Sequence, residues 1–208
     1  MLPPIISQLQ EKFMSFGGIG SRSAQKLAIE VLEMPVPIYK DFVSTMQLVK
    51  QTVCFCDNCG FFAERNSDVN FCEICKDQDR NQLQICLVEK PTDVMVIEKS
   101  QIYKGTYHIL GKLISPLDNI FIEHTNLPKL LATRIPNLLS QNPNLEIELI
   151  IFLKNNFAGD TTFAYLRESA DEWQGRVKIT QLAQGLPSFY NPDTLDQATM
   201  AKALENRR

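Results

Sequence analysis

Apolar positions along the chain follow two regimes, with a cysteine-rich stretch between them. Up to residue 52 they recur at helical steps. Ile5, Leu9, Phe13 and Phe16 share one face of a segment over 5–16, which Pro3 and Pro4 open and Gly17-Gly18 stop. Ala24, Leu27, Ala28, Val31 and Leu32 share a face over 21–32, with Ser21 as the N-cap candidate. Ile38, Phe42, Met46 and Val49 mark a third helix over 37–52. Beyond Lys76 the apolar runs become short and nearly continuous. Segments 83–88, 107–110, 146–153 and 177–179 read as strands. Between them, 92–98 (opened by Pro91), 126–140 and 160–168 read as helices, the middle one facing Leu127, Leu130, Leu131, Ile135 and Leu138 inward. Strands alternating with helices predict a mostly parallel sheet covered on both faces, with Cys86 in its core.

The stretch between the two regimes has little to bury. Phe61, Phe62, Val69 and Phe71 are its main apolar residues, and they follow no long period. It carries two Cys-x-x-Cys pairs instead, Cys56 with Cys59 and Cys72 with Cys75, twelve residues apart. That spacing is the signature of a four-thiolate site for one structural Zn²⁺, since each tight turn brings two sulfurs within ~2.3 Å of one metal. Cys54 stands outside the repeated spacing and reads as a non-ligand. Disulfides or a redox dithiol are the competing readings, but a redox motif does not normally occur twice in so short a window.

Between the first two helices lies Gly17-Gly18-Ile19-Gly20. Gly18 and Gly20 accept positive φ and put no side chain in the way of a phosphate, and N–H groups at a helix start form an anion nest. Arg22 and Lys26, four apart, project from the loop's side of the helix. The pattern fits a helix-hairpin-helix reader of the DNA backbone, and it also fits a plain turn between packed helices.

One acid has a suggestive address. Glu89 follows the first strand of the α/β part, where ligand sites gather. A working Mg²⁺ site needs two or three carboxylates, and the matching end of the 146–153 strand offers Lys154. Asp118 and Asp160 belong to no Asp-x-Asp pair. His108 and His124 have no partners at ligand or triad spacing.

Composition tempers the DNA reading. The net charge is −3, Lys and Arg are scattered, and residues 54–100 are acidic, so DNA contacts must be few and focused or multiplied in an oligomer. Six cysteines without an export signal suit the reducing cytoplasm, and no run of ~18 apolar residues predicts a membrane span.

The order of these pieces resembles the bacterial recombination mediator family RecR. The resemblance is carried by Gly18-Ile19-Gly20 with Ser23-Ala24-Gln25-Lys26-Leu27-Ala28, by the cysteines at 56, 59, 72 and 75, and by Ile85-Cys86-Leu87-Val88-Glu89. Asp79-Arg80, Ser115-Pro116-Leu117-Asp118, Gly185-Leu186-Pro187 and Ala203-Leu204-Glu205 extend it across the chain. The resemblance implies a helix-hairpin-helix region over 1–53, a four-cysteine zinc finger over 54–78, a Toprim-like α/β domain over 79–180 and a C-terminal segment over 181–208, a helical tail with oligomer contacts. It implies a DNA-repair role without catalysis. Ring-like homo-oligomers would encircle DNA and act with RecO and RecF to load RecA on single-stranded gaps. Arg22 and Lys26 fall where the family places its DNA-contacting bases. There are departures. Gly17 and Ser21 replace prolines beside the hairpin, and Leu153-Lys154-Asn155-Asn156-Phe157-Ala158-Gly159-Asp160 lacks an acid at Ala158. Ser188 and Phe189-Tyr190 stand near a lost Gly-Gly pair. The alternative is an Mg²⁺-dependent Toprim nuclease or primase-like enzyme acting through Glu89. A zinc-ribbon transcription factor would need a base-reading helix, and none is evident.

Overall fold

The computed structural model describes residues 3–66, 68–173 and 175–182. The sequence features at Gly185-Leu186-Pro187, Ser188, Phe189-Tyr190 and Ala203-Leu204-Glu205 lie outside the described residues. The chain divides into two compact units, Met1–Val53 and Cys54–Arg208.

The first unit holds three helices, α1 (Pro4–Met14), α2 (Ser21–Glu33) and α3 (Val36–Thr52). Proline at the first helical turn starts α1, where a missing N–H costs nothing. Helices α1 and α2 pack on each other. Ala24 and Ala28, small residues four apart, are the only fully buried side chains of the three helices. Ser21 is already the first residue of α2. Gly20, in extended conformation, is the N-cap, so the serine does not cap the helix as its position in the sequence suggested. The periodic face of α3 forms as expected but is not covered: Ile38, Phe42, Met46 and Val49 are 41–56% exposed.

At the junction of the units comes a two-stranded piece, β1 (Val53–Phe55) and β2 (Phe62–Glu64), followed in the second unit by a one-turn helix α4 (Glu73–Lys76). Then follow β3 (Asn81–Val88), α5 (Pro91–Lys99) and β4 (Gly105–Ile109). A helical stretch comes next, made of α6 (Leu127–Lys129), a π-turn (Leu130–Arg134) and α7 (Ile135–Gln141). β5 (Ile147–Phe152), α8 (Phe157–Ala170) and β6 (Val177–Gln181) complete it. The sheet order is β4-β3-β5-β6, and every pairing is parallel. One face of the sheet packs Ile85, Leu87, Leu149 and Ile151 on Leu127, Leu130, Ile135 and Leu166. The other packs Cys86, Val88, Tyr107 and Ile109 on Val94 and on Phe61 and Ile74 of the cysteine-rich stretch.

Sequence periodicity over 126–140 reads as one helix, and the structure interrupts it. Pro136 has no N–H to give, and its ring would strike the carbonyl four residues back, so the preceding turn widens to the π form. The widened turn buries both Arg134 and Ile135.

Strand β4 lies at the edge of the sheet, and its open side is covered. Ile109 N–H donates to the carbonyl of Cys59 at 2.8 Å, and Asn126 Nδ2 donates to the carbonyl of Ile109 at 2.8 Å. Arg134 Nη1 donates to the carbonyl of Tyr107. An edge blocked this way cannot recruit another strand.

Candidate metal centre and nucleic-acid interface

The candidate metal centre is built by two tight turns. In the first, Gly60 N–H donates to the Cys56 carbonyl at 3.0 Å and Cys56 N–H to the Phe61 carbonyl at 2.6 Å. In the second, Cys75 N–H donates to the Cys72 carbonyl at 3.0 Å as α4 begins. Asp57 ties the intervening loop by accepting from Asn70 N–H at 2.8 Å. The four sulfurs of Cys56, Cys59, Cys72 and Cys75 all lie within 4.8 Å of one another, and Cys59 and Cys72 are 3.5 Å apart. A tetrahedron with Zn–S bonds of ~2.3 Å has edges of about 3.8 Å, so the set fits the ion.

Donors are also aimed at the sulfurs. Phe61 N–H reaches Cys59 at 3.4 Å, Cys72 N–H reaches Cys56 at 3.3 Å, and Asn58 Nδ2 reaches Cys75 at 3.4 Å. Such donors favour thiolates over thiols. Without a cation the four cannot all ionise. The hydrogen bond with Cys59 holds Cys56 far below the ordinary thiol range, while the same pairing pushes Cys59 far above it. Cys54 stays outside the cluster, its thiol 3.7 Å from the Ala63 carbonyl. Cys86 is buried, and burial pushes its thiol up to about 12, which makes it unreactive.

In the first unit, Gly18 sits at φ +85°, a conformation that disfavours any side chain, and the space where a Cβ would go is open. Gln10 Nε2 donates to Ser21 Oγ at 3.1 Å and holds α1 to the start of α2. The first N–H groups of α2 have no carbonyl a turn back to bond. Arg22 and Lys26 are exposed beside this helix start. Gly18, Gly20, Arg22 and Lys26 therefore form one patch in the first unit, and the four cysteines and Glu89 belong to the second.

Glu89 follows β3 directly, at the carboxyl end of the sheet. Lys154 follows the neighbouring strand β5, and its Nζ lies 3.0 Å from Glu89 Oε2. Lys90 Nζ is 3.9 Å from Oε1. The turn carrying Lys154 is tight. Asn156 caps α8 by accepting from Gly159 N–H at 3.0 Å, and a Cβ on Gly159 would collide with the Lys154 carbonyl, so only glycine fits. Asp118 accepts from Ser115 Oγ. Among the described residues, no group of three or more His, Cys, Asp or Glu comes together apart from the four cysteines.

His108 and Arg134 carry more structure than their sequence positions reveal. His108 is buried, donates from Nε2 to the Asn126 carbonyl at 3.0 Å, and is pushed down to about 4 by burial. A carbonyl only accepts, which fixes the tautomer. His124 is exposed and accepts from Phe121 N–H at 3.0 Å. The Arg80 guanidinium forms two bonds to Glu98, at 2.6 and 2.9 Å, and Tyr107 OH donates to the same carboxylate at 2.6 Å. The sequence reads His108 as a histidine without ligand or triad partners, and it is a core residue. No spacing rule links Arg80, Glu98, Tyr107 and Arg134, so pattern reading missed their partnering. Asp79-Arg80 enters the sequence reading only through the resemblance.

Comparison with known proteins adds to this geometry. The Toprim domain model matches residues 84–183, which runs from within β3 through β6. The recombination protein RecR of Prochlorococcus marinus (strain MIT 9312) is 36% identical over 203 residues, covering 97% of this chain and 94% of that protein. The recombination protein RecR of Staphylococcus aureus (strain Newman) is 35% identical over 206 residues, covering 99% and 97%.

Proposed function

We propose that this chain, which belongs to the RecR family of recombination proteins, is a non-catalytic DNA-binding protein of recombinational repair. The observation that carries the reading is the hairpin: an uncovered helix start at Gly18-Ile19-Gly20 with Arg22 and Lys26 exposed beside it. Backbone N–H groups and two cations suit phosphates and offer nothing to read bases, so binding is without sequence preference. The division of labour follows the sequence boundaries. Residues 1–53 grip DNA, and 54–78 fold around one structural Zn²⁺. Residues 79–180 supply a Toprim-like partner surface, and 181–208 contribute oligomer contacts.

A net charge of −3 makes one hairpin a weak binder, so useful affinity comes from several copies acting together. The uncovered apolar face of α3 supports self-association, since a 17-residue helix with no buried side chain lacks a partner for that face among the described residues. The working form is a homo-oligomeric ring around DNA. It acts in the cytoplasm with RecO, and with RecF, to promote RecA loading at single-stranded gaps.

The rival reading, an Mg²⁺-dependent Toprim nuclease or primase-like enzyme, has Glu89 as its key residue. The 3.0 Å ion pair to Lys154 opposes it, because the ammonium occupies the charge that a divalent cation would need. The test is light scattering of the purified protein with and without gapped DNA. Oligomers that bind the gapped DNA as intact assemblies support the reading. A monomer that binds DNA as well as the oligomer contradicts it.

A further inference from the structure

Among the described residues, Arg134 is the only Lys, Arg, Asp or Glu in the buried interior, at 6% exposure. A guanidinium stays charged in any protein environment, and burying it without counter-charge is expensive. Yet none of the ion pairs among the described residues involves it. Its nitrogens donate to two neutral groups, the Tyr107 carbonyl and, at 2.8 Å, Thr106 Oγ1.

What lies beside it follows from the edge of β4. Arg134 takes the carbonyl of Tyr107, and the first cysteine turn takes the next free group on the same edge, since Ile109 N–H donates to the Cys59 carbonyl at 2.8 Å. Two such neighbouring edge groups are about 5 Å apart, given a rise of ~3.3 Å per residue. The second cysteine turn lies on the same side of the sheet, with Ile74 packed against the cluster that holds Tyr107 and Ile109. Burial pulls the Arg134 guanidinium down from its ordinary value, and Cys75, Cys59 and Cys56 oppose that pull. Four thiolates around a zinc dication leave a net double negative charge in the same neighbourhood.

We propose that Arg134 is the fixed counter-charge of the tetrathiolate centre, holding zinc in the two turns by charge through the edge of β4. The inference rests on the reading of Cys56, Cys59, Cys72 and Cys75 as zinc ligands. It couples two parts of the second unit that a simple staple would leave independent. The net negative zinc–tetrathiolate centre offsets the charge of a buried arginine, and the arginine offsets the excess charge of that centre. Loss of either is felt by the other.

The experiment uses the full chain as native protein, Arg134→Lys and Arg134→Gln. Glutamine still donates hydrogen bonds but carries no charge, and lysine keeps the charge. Zinc content is measured by elemental analysis, and release is followed with a chromogenic chelator. Charge interactions of this kind at moderate dielectric predict release at least about tenfold faster from R134Q, with R134K within about threefold of native. Native rates in R134Q, or equal acceleration in both variants, overturn the proposal. If R134Q does not fold, the uncharged Arg134→Met takes its place beside R134K: release about tenfold faster from R134M with R134K within about threefold of native supports the role of charge, and near-native release from R134M, or equal acceleration in both, overturns it. Native protein without zinc refutes the ligand reading itself, a different failure from native protein that holds zinc indifferently to residue 134.

Discussion

Lys154 places its ammonium 3.0 Å from the carboxylate of Glu89, across the carboxyl ends of the adjacent parallel strands β5 and β3. The acid that a Toprim sheet presents where ligands gather is here answered from within the chain. Lys154 is 59% exposed, so the pair contributes little to stability, at most about 1 kcal/mol. Its effect is on chemistry. Mg²⁺ should therefore produce neither cleavage nor synthesis on DNA, and Glu89→Gln should leave DNA affinity within about twofold of native on the account that phosphate contacts carry binding. A gel assay with Mg²⁺ and gapped DNA checks both. Mg²⁺-dependent cleavage abolished by E89Q would restore the enzyme reading.

On the zinc reading, the cysteine cluster should decide whether its surroundings fold. Structural zinc supplies apparent binding energies of ~10–16 kcal/mol in small zinc domains, and the segment around it is poor in buried apolar residues of its own. Replacing Cys72 with Ser should remove zinc and cost solubility and assembly before DNA contacts change. Elemental analysis together with a thermal melt is the check, and a zinc-free C72S protein that melts and assembles like the native one would show the staple to be dispensable.

The Arg80–Glu98–Tyr107 network should give the protein an acid limb. The hydrogen bonds from Arg80, and then from Tyr107, hold the Glu98 carboxyl below its ordinary value, against the effect of partial burial. A depressed folded value means that the contribution is complete above the unfolded value near 4.5 and is lost as pH falls through the folded one. Glu98→Gln should flatten the stability profile below about pH 4.5 and lower stability at neutral pH. Urea melts from pH 3 to 7 read this out, and an unchanged acid limb in E98Q would remove the network from the account.

The exposed face of α3 should be an oligomer contact. Phe42→Glu with Met46→Glu places charge on a face that needs an apolar partner, while neither side chain is buried within its own chain. The variant should keep its helical content and dissociate in light scattering, and it should lose more DNA affinity than two added acids explain by charge alone. Assemblies of native size would clear α3 of that role.

Much of this was legible in the chain because the signals are local. The two Cys-x-x-Cys turns bring their sulfurs together by spacing alone, and strands such as 83–88 and 146–153 declare themselves as continuous apolar runs. Helix faces were legible as patterns but not as interiors. The repeat of Ile38, Phe42, Met46 and Val49 specifies an apolar stripe and cannot say whether the same chain covers it. Ser21 looked like a cap, but the backbone turns one residue earlier, at Gly20. Pro136 was the readable warning against one continuous helix over 126–140. What no pattern carried was the partnering of Arg134 with Tyr107 and Thr106, 27 and 28 residues away. Nor did any pattern pair Arg80 with Glu98, 18 residues away. Those contacts exist only once the sheet has formed.

The central claim is that Arg22 and Lys26, beside the glycine hairpin, grip DNA phosphates. Its most direct measurement is DNA affinity against salt concentration for native protein, Arg22→Ala and the double variant with Lys26→Ala. Each lost phosphate contact should weaken binding to all sequences alike and reduce the slope of log affinity against log salt by about 1. A double variant with the native slope and affinity would contradict the account.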